Sequence, residues 1–521
     1  MNKSNTIVLD GSGELTINDA YKIVTLHNKV ALSEKAMAQS YASFYFLKEF
    51  IKDKLIYGIN TGFGPMAQYK VSNEDQIQLQ FNLIRSHCSG SGQPIAPENV
   101  RGLVLARLNT LSQGFSGIHP DALVLLTELL NRDITPVIYE HGGLGASGDL
   151  VQLAHLALTL IGEGDVWYKG TITTTEAAFQ QEKLSPIGVH IREGLSVMNG
   201  TSAMCGIGIV NLLHAENLLN LATVATSMIV EMVESYDDHF SEQLNAVKHH
   251  AGQQAIAASM RSFLQDSGLI KNREQHLYDK KVKENILKDK VQEYYSIRCV
   301  PQILGPVLDT LENAKTVIGH EINSVSDNPV IDYNNKNVYH GGNFHGDYAA
   351  LEMDKIKMSI TRLSMLCERQ LNFLFNDRLN GKLTPFINKG TLGLNLGMQG
   401  MQFPATSTTA ENQTLSFPMY VHSIPSNNDN QDIVSMGANA AIIAQKVIMN
   451  TYEVLAIEFM AIVQAVEFLG IFEKLSSAGK KWISELQPIV GDFTTDKVRY
   501  KDQARVVTFL KRKASEMASK G

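Results

Sequence analysis

The feature that most constrains the fold is a set of long apolar segments with few prolines. The longest spans residues 434–472, which contain no proline and one glycine before Gly470. Leu, Met and Ile recur at spacings of three and four residues in three further segments, 201–235, 303–325 and 348–378. That spacing predicts helices, and a helix that is apolar on most faces must be buried by neighbours on several sides. We therefore predict a mainly α fold with a central bundle of very long helices.

Two of these segments are apolar enough to be compared with a membrane span. Residues 202–233 contain Glu216, and residues 434–472 contain Lys446 and Glu453, among other polar side chains. Charges at this density are costly in a bilayer but normal in a large soluble bundle. The N-terminus also lacks a basic start followed by an uninterrupted apolar core. We expect a soluble, cytoplasmic protein without a membrane partner.

Charge, cysteine and histidine content exclude other classes of protein. The 521 residues include 46 basic and 53 acidic side chains, a formal net charge of -7, whereas a nucleic-acid-binding protein usually carries a basic surplus. We therefore expect no nucleic-acid partner. The four cysteines form no CxxC pair, which predicts free thiols in a reducing compartment. The 15 histidines form neither an HExxH motif nor a Cys/His pattern, so we expect no metal site.

Three segments rich in Gly, Asn and Ser interrupt the helical pattern. They are 57–65 (YGINTGFGP), 141–149 (HGGLGASGD) and 422–432 (HSIPSNNDNQD). Loops supported by a rigid helical scaffold are where binding and catalytic groups concentrate. We predict a loop-rich N-terminal domain over 1–200 and a long-helix domain over 201–521 that carries further active-site loops.

The segment 141–149 contains the most specific chemical signal. Its Ala146-Ser147-Gly148 combines a small residue, a hydroxyl that can be eliminated and a glycine that lets the backbone fold back on itself. Continued by Asp-Leu-Val-Gln-Leu-Ala-His, the segment resembles the aromatic amino acid ammonia-lyase family, which includes histidine, phenylalanine and tyrosine ammonia-lyases. In that family the glycine nitrogen attacks the alanine carbonyl carbon and two waters are lost. The resemblance implies that these residues form the electrophile 4-methylideneimidazole-5-one (MIO), with no metal or dissociable cofactor.

Further segments match the same family in the same order. They are 57–65 (YGINTGFGP), 193–201 (EGLSVMNGT), 295–302 (YSIRCVPQ), 326–329 (SDNP), 341–345 (GGNFH) and 430–436 (NQDIVSM). The resemblance therefore covers most of the chain. It implies the fumarase/aspartase-like fold, with MIO in the N-terminal domain, and a homotetramer whose active sites are shared between chains.

The resemblance also assigns roles to individual residues. Tyr57 becomes the base that removes the β-proton. A tyrosine with an ordinary pKa near ~10 must be tuned downward to do so at moderate pH, which predicts an alkaline optimum. Arg298 becomes the bidentate partner of the substrate carboxylate, supported by Asn328. Asn199 positions the amine and the ring, and Tyr295 donates a hydrogen bond near the prosthetic group.

Two further positions keep a structural alternative. Phe344 resembles the aromatic residue packed against the MIO ring, although a core phenylalanine would look the same. Asp149 either assists ring formation or caps the helix expected to start near Leu150, and both roles can hold together.

Two segments bear on the choice of substrate. Ser86-His87 occurs in histidine- and tyrosine-specific members, whereas phenylalanine-specific members have an aromatic or aliphatic pair there. Histidine ammonia-lyases carry a glutamate after Asn-Gln, where this chain has Gln431 beside Asn430. A neutral amide cannot give an imidazolium the charge-assisted bond of a carboxylate. The sequence therefore favours deamination of the small aromatic amino acid L-tyrosine to trans-4-coumarate and ammonia.

Several alternatives remain open at this stage. A histidine ammonia-lyase that forms urocanate is the nearest one, followed by a phenylalanine ammonia-lyase or an MIO-dependent aminomutase. A non-catalytic relative is disfavoured by the intact Tyr57, Ala146-Ser147-Gly148 and Arg298.

Overall fold

The computed structural model describes residues 6–279, 285–287 and 290–518, which form nineteen α-helices and nine short strands. The first helices are α1 (Ile17–Thr25), α2 (Glu34–Phe50), α3 (Gln76–His87), α4 (Pro97–Ser112), α5 (Asp121–Asn131), α6 (Leu150–Leu160), α7 (Thr175–Glu182) and α8 (Glu193–Met198). The others are α9 (Ser202–Met232), α10 (Glu242–Ala246), α11 (Ala251–Leu264), α12 (Tyr295–Arg298), α13 (Val300–Ile322), α14 (Asp347–Phe375), α15 (Asp377–Asn380), α16 (Gln399–Leu415), α17 (Gly437–Leu469), α18 (Ser477–Val490) and α19 (Tyr500–Ala518).

The strands are short and form small local sheets. They are β1 (Ile7–Leu9), β2 (Val30–Leu32), β3 (Ser91–Pro94), β4 (Thr135–Pro136), β5 (Tyr139–His141), β6 (Asp165–Tyr168), β7 (Thr171–Thr174), β8 (Val330–Asp332) and β9 (Asn337–Tyr339). The pair β1–β2 is parallel, with Ile7 opposite Val30. The pairs β3–β5 and β8–β9 and the three-stranded sheet β4-β6-β7 are antiparallel.

The prediction of a mainly α fold with very long helices is confirmed. The four apolar segments correspond to α9, α13, α14 and α17, each within a few residues of the predicted bounds. The helix α17 ends where Gly470 takes a φ of +62°, a left-handed conformation that glycine adopts without a steric penalty. By length and composition α9 could cross a membrane, but 78% of its most apolar window is buried inside the protein. Burial of that degree is expected for a core helix.

The chain divides into two compact units. The first consists of Met1–Leu213, Ala314–Asp354 and Pro418–Gln445, and the second of His214–Asn313, Lys355–Phe417 and Lys446–Gly521. Each of the four longest helices contributes residues to both units. In the first unit, α3, α6 and α8 pack against one another. The helix α3 ends at His87, α6 starts after Asp149 and α8 ends before Asn199, so these helices support three of the predicted site segments.

Candidate active site

The Ala146-Ser147-Gly148 loop is held on one side by residues 199–200. The Asn199 Nδ2 donates to the Ser147 carbonyl oxygen at 3.2 Å, and the Asp149 N–H donates to the Gly200 carbonyl oxygen at 2.8 Å. Gly148 has a φ of +69°, and a Cβ there would collide with the Gly200 carbonyl group. Only glycine tolerates this combination of backbone angle and close approach.

On the other side, segments 341–346 and 430–436 hold the residues that precede the loop. The Gly145 carbonyl oxygen accepts from the Ser435 hydroxyl and from the Gly346 N–H, both at 3.2 Å. The Met436 N–H donates to the Leu144 carbonyl oxygen at 2.9 Å. Three segments far apart in sequence therefore converge on one loop.

Gln431 is in direct contact with this loop. Its Nε2 donates to the Ser147 hydroxyl at 2.9 Å, and its Oε1 lies 3.2 Å from the Ser426 hydroxyl, from which it accepts. The amide is therefore fixed with its N–H group toward Ser147. The adjacent Asn430 is exposed, and its backbone N–H donates to the Asn427 carbonyl oxygen at 3.2 Å.

Tyr57 is half-buried in the first unit. Its hydroxyl oxygen accepts a hydrogen bond from the Gly64 N–H at 3.1 Å, and the Phe63 ring lies edge-on with centroids 6.2 Å apart. These contacts within 57–65 fix the position of the hydroxyl, as proton transfer at a defined atom requires.

Gln80 supports the Tyr57 loop, although the sequence analysis did not single it out. This fully buried side chain on α3 donates to the Gly58 carbonyl oxygen and accepts from the Leu195 N–H, both at 3.1 Å. It therefore links the loop after Tyr57 to α8, which leads into Asn199. Because most glutamines are exposed, a glutamine in a helix sequence is only a weak signal of a buried supporting role.

Ser86 and His87 form the last turn of α3. The His87 Nδ1 lies 2.9 Å from the Leu83 carbonyl oxygen and 3.1 Å from the Ser86 hydroxyl. Because a carbonyl oxygen only accepts, we assign the proton to Nδ1, which leaves Nε2 as an acceptor in the neutral ring. Burial raises the pKa of the neighbouring Cys88 to about 12, so its thiol stays protonated.

Asp149 caps a different helix from the one expected. Its backbone occupies the N-cap position of α6, but its side chain makes no capping bond there. Instead Oδ2 accepts from the Met204 N–H at 2.8 Å, in the first turn of α9. The expectation that Asp149 caps the helix starting at Leu150 is therefore wrong for the side chain. Complete burial raises the pKa of Asp149 to about 7, although hydrogen bonds from Met204 and Ala203 oppose the shift.

Asn328 is fixed by two hydrogen bonds, one at its side chain and one at its backbone. Its Oδ1 accepts from the Gly341 N–H at 2.9 Å, and its backbone N–H donates to the Asp327 Oδ1 at 2.7 Å. Asp327 forms a bidentate pair with Arg192 at 2.9 and 3.1 Å, and both side chains are fully buried.

Phe344 is half-buried on the segment whose Gly346 contacts the loop at Gly145.

Tyr295 and Arg298 lie on α12, in the second unit. Tyr295 is 69% exposed, and the Arg298 guanidinium lies 4.6 Å from its ring centroid while donating to the Glu293 carbonyl oxygen. No carboxylate of the described residues lies within 4 Å of that guanidinium. Both residues line a cavity of about 680 Å³, together with residues that the sequence analysis did not single out: Gln292, Arg369, Asn372 and Phe373.

The structure therefore brings some predicted residues into contact and leaves others apart. Asn199 and Gln431 both bond to Ser147. Tyr57, Ser86, His87, Asn328 and Phe344 belong to the same unit, but no hydrogen bond between described residues joins them to Ser147. Tyr295 and Arg298 belong to the second unit.

A mainly helical fold with a clamped Ala-Ser-Gly loop defines an enzyme that acts on a carbon–nitrogen bond, as an ammonia-lyase or an aminomutase. The chain belongs to the aromatic amino acid lyase family, whose pattern it matches over residues 15–487. It is 41% identical to a tyrosine 2,3-aminomutase of Chondromyces crocatus over 80% of this chain and 79% of that protein. It is 38% identical to a histidine ammonia-lyase of Halalkalibacterium halodurans over 98% of this chain and 96% of that protein.

Solved structures show the same fold. The crystal structure of a tyrosine aminomutase from Streptomyces globisporus superposes with a TM-score of 0.93 at 35% identity, covering 97% of both chains. This fold belongs to the fumarase/aspartase-like superfamily, which confirms the predicted fold class.

The residues present fit the prosthetic group of this MIO-dependent family. Gly148 stands where no Cβ can be placed, Ala146 is small and only 5% exposed, and the Ser147 hydroxyl is held by Gln431. Within the described residues, no group of three His, Cys, Asp or Glu side chains could hold a metal ion.

Proposed function

We propose that this protein is an ammonia-lyase that converts L-tyrosine to trans-4-coumarate and ammonia, with MIO formed from Ala146, Ser147 and Gly148. The observation that carries the choice of substrate is the Gln431 amide, 2.9 Å from the Ser147 hydroxyl. An amide at this point offers no negative charge to an imidazolium ring. The relatives named as tyrosine 2,3-aminomutases also support tyrosine as the substrate.

The reaction has two obstacles, and the chain addresses each. Ammonia is a poor leaving group, and MIO supplies the electrophile that takes up the amine. The β-proton is hardly acidic, so a base must be held close to it, and we assign this role to Tyr57. Its hydroxyl oxygen is fixed by the Gly64 N–H.

His87 is assigned to the phenol of the substrate. With the proton on Nδ1, the Nε2 accepts a hydrogen bond, and a phenol O–H is the matching donor. Ser86 supports the ring through Nδ1. A bare phenyl ring would leave that acceptor without a partner, which disfavours phenylalanine.

Other side chains are assigned to substrate binding and to the prosthetic group. Arg298 offers a guanidinium fork to the carboxylate, and Tyr295 lies beside it in the same cavity. Asn199 holds the ring through Ser147. The remaining assignments are Asn328 at the carboxylate, Phe344 against the ring, and Asn430 with Gln431 at the rim of the site.

A second candidate function is tyrosine 2,3-aminomutase activity, favoured by the 41% identical relative with that name. A mutase returns ammonia to the β-carbon instead of releasing it. The difference depends on how long the product stays bound, which mobile segments around a site control. We also propose a cytoplasmic homotetramer with shared active sites, by analogy with the family.

The deciding experiment is a parallel assay of the purified protein with L-Tyr, L-Phe and L-His. Ultraviolet absorbance separates coumarate, cinnamate and urocanate, and chromatography detects β-tyrosine. Coumarate as the main product is expected. Mainly urocanate would overturn the choice of substrate, and mainly β-tyrosine would replace the lyase by the mutase. The Gln431→Glu variant tests the role of the amide directly, because a carboxylate there should shift the preference from tyrosine toward histidine.

A further inference from the structure

Glu321, on α13, belongs to none of the sequence motifs, yet it reaches the site through one neighbour. The Thr201 hydroxyl donates to the Glu321 Oε1 at 2.6 Å. Thr201 directly follows Asn199 and Gly200, the two residues that hold the Ser147–Asp149 backbone. Through Thr201, Glu321 therefore fixes the segment 199–201, which in turn binds the Ala-Ser-Gly loop.

Ring formation depends on how that loop is held. The Gly148 nitrogen must bond to the Ala146 carbonyl carbon, whose oxygen leaves as water with the hydrogens of the Gly148 and Ser147 nitrogens. The Ser147 hydroxyl leaves as a second water with its α-hydrogen. The first step joins two atoms within one short loop, so its rate depends strongly on their approach. The bonds from Asn199 to the Ser147 carbonyl group and from Asp149 to Gly200 hold the peptides on both sides of Gly148.

We propose that Glu321, acting through Thr201, is a positioning residue for formation of the prosthetic group. By fixing Thr201 it keeps Gly200 pressed against Gly148, so that the Gly148 nitrogen is directed toward Ala146. The inference rests on the proposed MIO chemistry, and it concerns how the enzyme matures instead of how it turns over substrate.

The environment of Glu321 supports this role. Burial raises its pKa, and the Thr201 hydroxyl is the side-chain donor that opposes this shift. Glu321 is also close enough to contribute to the raised pKa of Asp149. Removing the acceptor would leave the Thr201 hydroxyl without this partner in a mostly buried place, which is costly.

Glu321 can be replaced without opening a void in the hydrophobic core. It lines a cavity of about 660 Å³ with polar neighbours that include Ser324, Asn343 and His345. Water can fill such a polar space. Variants at this position should therefore fold, which makes the proposal testable.

The test measures, by intact-protein mass at a fixed early time after cell-free synthesis, the fraction of chains that have lost two waters, because this fraction follows the rate of ring formation only before cyclisation is complete. Glu321→Leu and Thr201→Val remove the hydrogen bond, and each should lower that fraction roughly tenfold, because small misplacements of reacting groups cost up to ~10²-fold in rate. Glu321→Gln keeps an acceptor and Thr201→Ser keeps a donor, so both should cyclise almost as wild type does. Ser147→Ala is the negative control, since it cannot lose the second water.

Glu458→Leu is the matched control for loss of a buried carboxyl group, since Glu458 lies in the second unit. It should retain the wild-type cyclised fraction. Wild-type cyclisation in both Glu321→Leu and Thr201→Val would overturn the proposal, and so would equal losses in the conservative and the disruptive variants. If circular dichroism shows that Glu321→Leu does not fold, the comparison of Thr201→Val with Thr201→Ser tests the proposal instead. A wild-type protein with the full encoded mass would instead refute the MIO chemistry itself.

Discussion

At the scale of single residues, those that react or lie next to the reacting loop were easier to predict than the buried polar side chains that hold the site in place. Ala146-Ser147-Gly148 was recognisable because its flanking segments, 142–145 (GGLG) and 149–158 (DLVQLAHLAL), resemble those of the family, although three small residues alone would not have been specific. Gln431 was recognisable because it stands where an acid is expected in histidine enzymes. Gln80 was not, because nothing in the α3 sequence shows that this glutamine faces Gly58 and Leu195. Partners of buried polar groups are set by tertiary contacts and not by local pattern.

The assignment of His87 gives a prediction at this scale. Replacing His87 with Phe removes the Nε2 acceptor, so a bound phenol O–H would lose its partner. The ratio of kcat/KM for tyrosine to that for phenylalanine should fall roughly 5- to 150-fold, corresponding to the ~1–3 kcal/mol cost of an unsatisfied buried polar group. Steady-state kinetics with both substrates give this ratio. Ser86→Ala is the control, since His87 keeps its bond to Leu83, and an unchanged ratio in His87→Phe would remove the phenol-binding role.

At the scale of secondary-structure elements, apolar spacing predicted the long helices well. The segment 434–472 became α17 (Gly437–Leu469), and 348–378 became α14 (Asp347–Phe375). The helix α4 shows where this reasoning stops, because residues 99–112 are all buried although they include Arg101 and Arg107. Because arginine is rarely buried, the sequence alone did not predict that Arg101 and Arg107 lie in the core, and the groups that bind them are visible only in the structure.

The cap of α9 gives a prediction at the scale of the element. Asp149→Ala leaves the Ala203 and Met204 N–H groups without their acceptor, whereas Asp149→Asn keeps a side-chain oxygen there. At pH 6 the alanine variant should have a free energy of unfolding lower than that of the asparagine variant by about 1–2 kcal/mol, the usual cost of losing a cap. Urea unfolding followed by circular dichroism measures this difference. Equal midpoints for the two variants would show that Asp149 does not stabilise α9.

At the scale of the whole molecule, the predicted site residues are divided between the two units, with Ser147 in the first and Arg298 in the second. If active sites are shared between chains of a homotetramer, two inactive variants can complement each other. Co-expressed Ser147→Ala and Arg298→Met chains should then recover about a quarter of wild-type activity, the fraction of sites that draw an intact residue from each chain. The double variant co-expressed with Ser147→Ala is the control and should stay inactive. Activity no greater than the sum of the single variants would mean that each chain builds its own site.

The stability of the molecule should also depend on pH through Glu458, in the middle of α17. This residue is fully buried, and the hydrogen bond between its carboxyl group and the Cys367 thiol only partly opposes the effect of that burial. Burial raises its pKa to about 8. Between the ordinary glutamate pKa and this value, the folded state binds more protons at this group than the unfolded state does. The free energy of unfolding should therefore fall by about 1.4 kcal/mol per pH unit in that window because of this group.

Glu458→Gln removes this ionisation while keeping the size of the side chain. Relative to wild type, its Tm should rise steadily from pH 5 to pH 8, because only the wild type must keep a proton on a buried acid as pH increases. Calorimetry across this range measures the difference. Glu473→Gln is the control, since it makes the same substitution at a side chain that is 86% exposed. Parallel Tm curves for Glu458→Gln and wild type would show that burial does not raise the pKa of Glu458 in the folded protein.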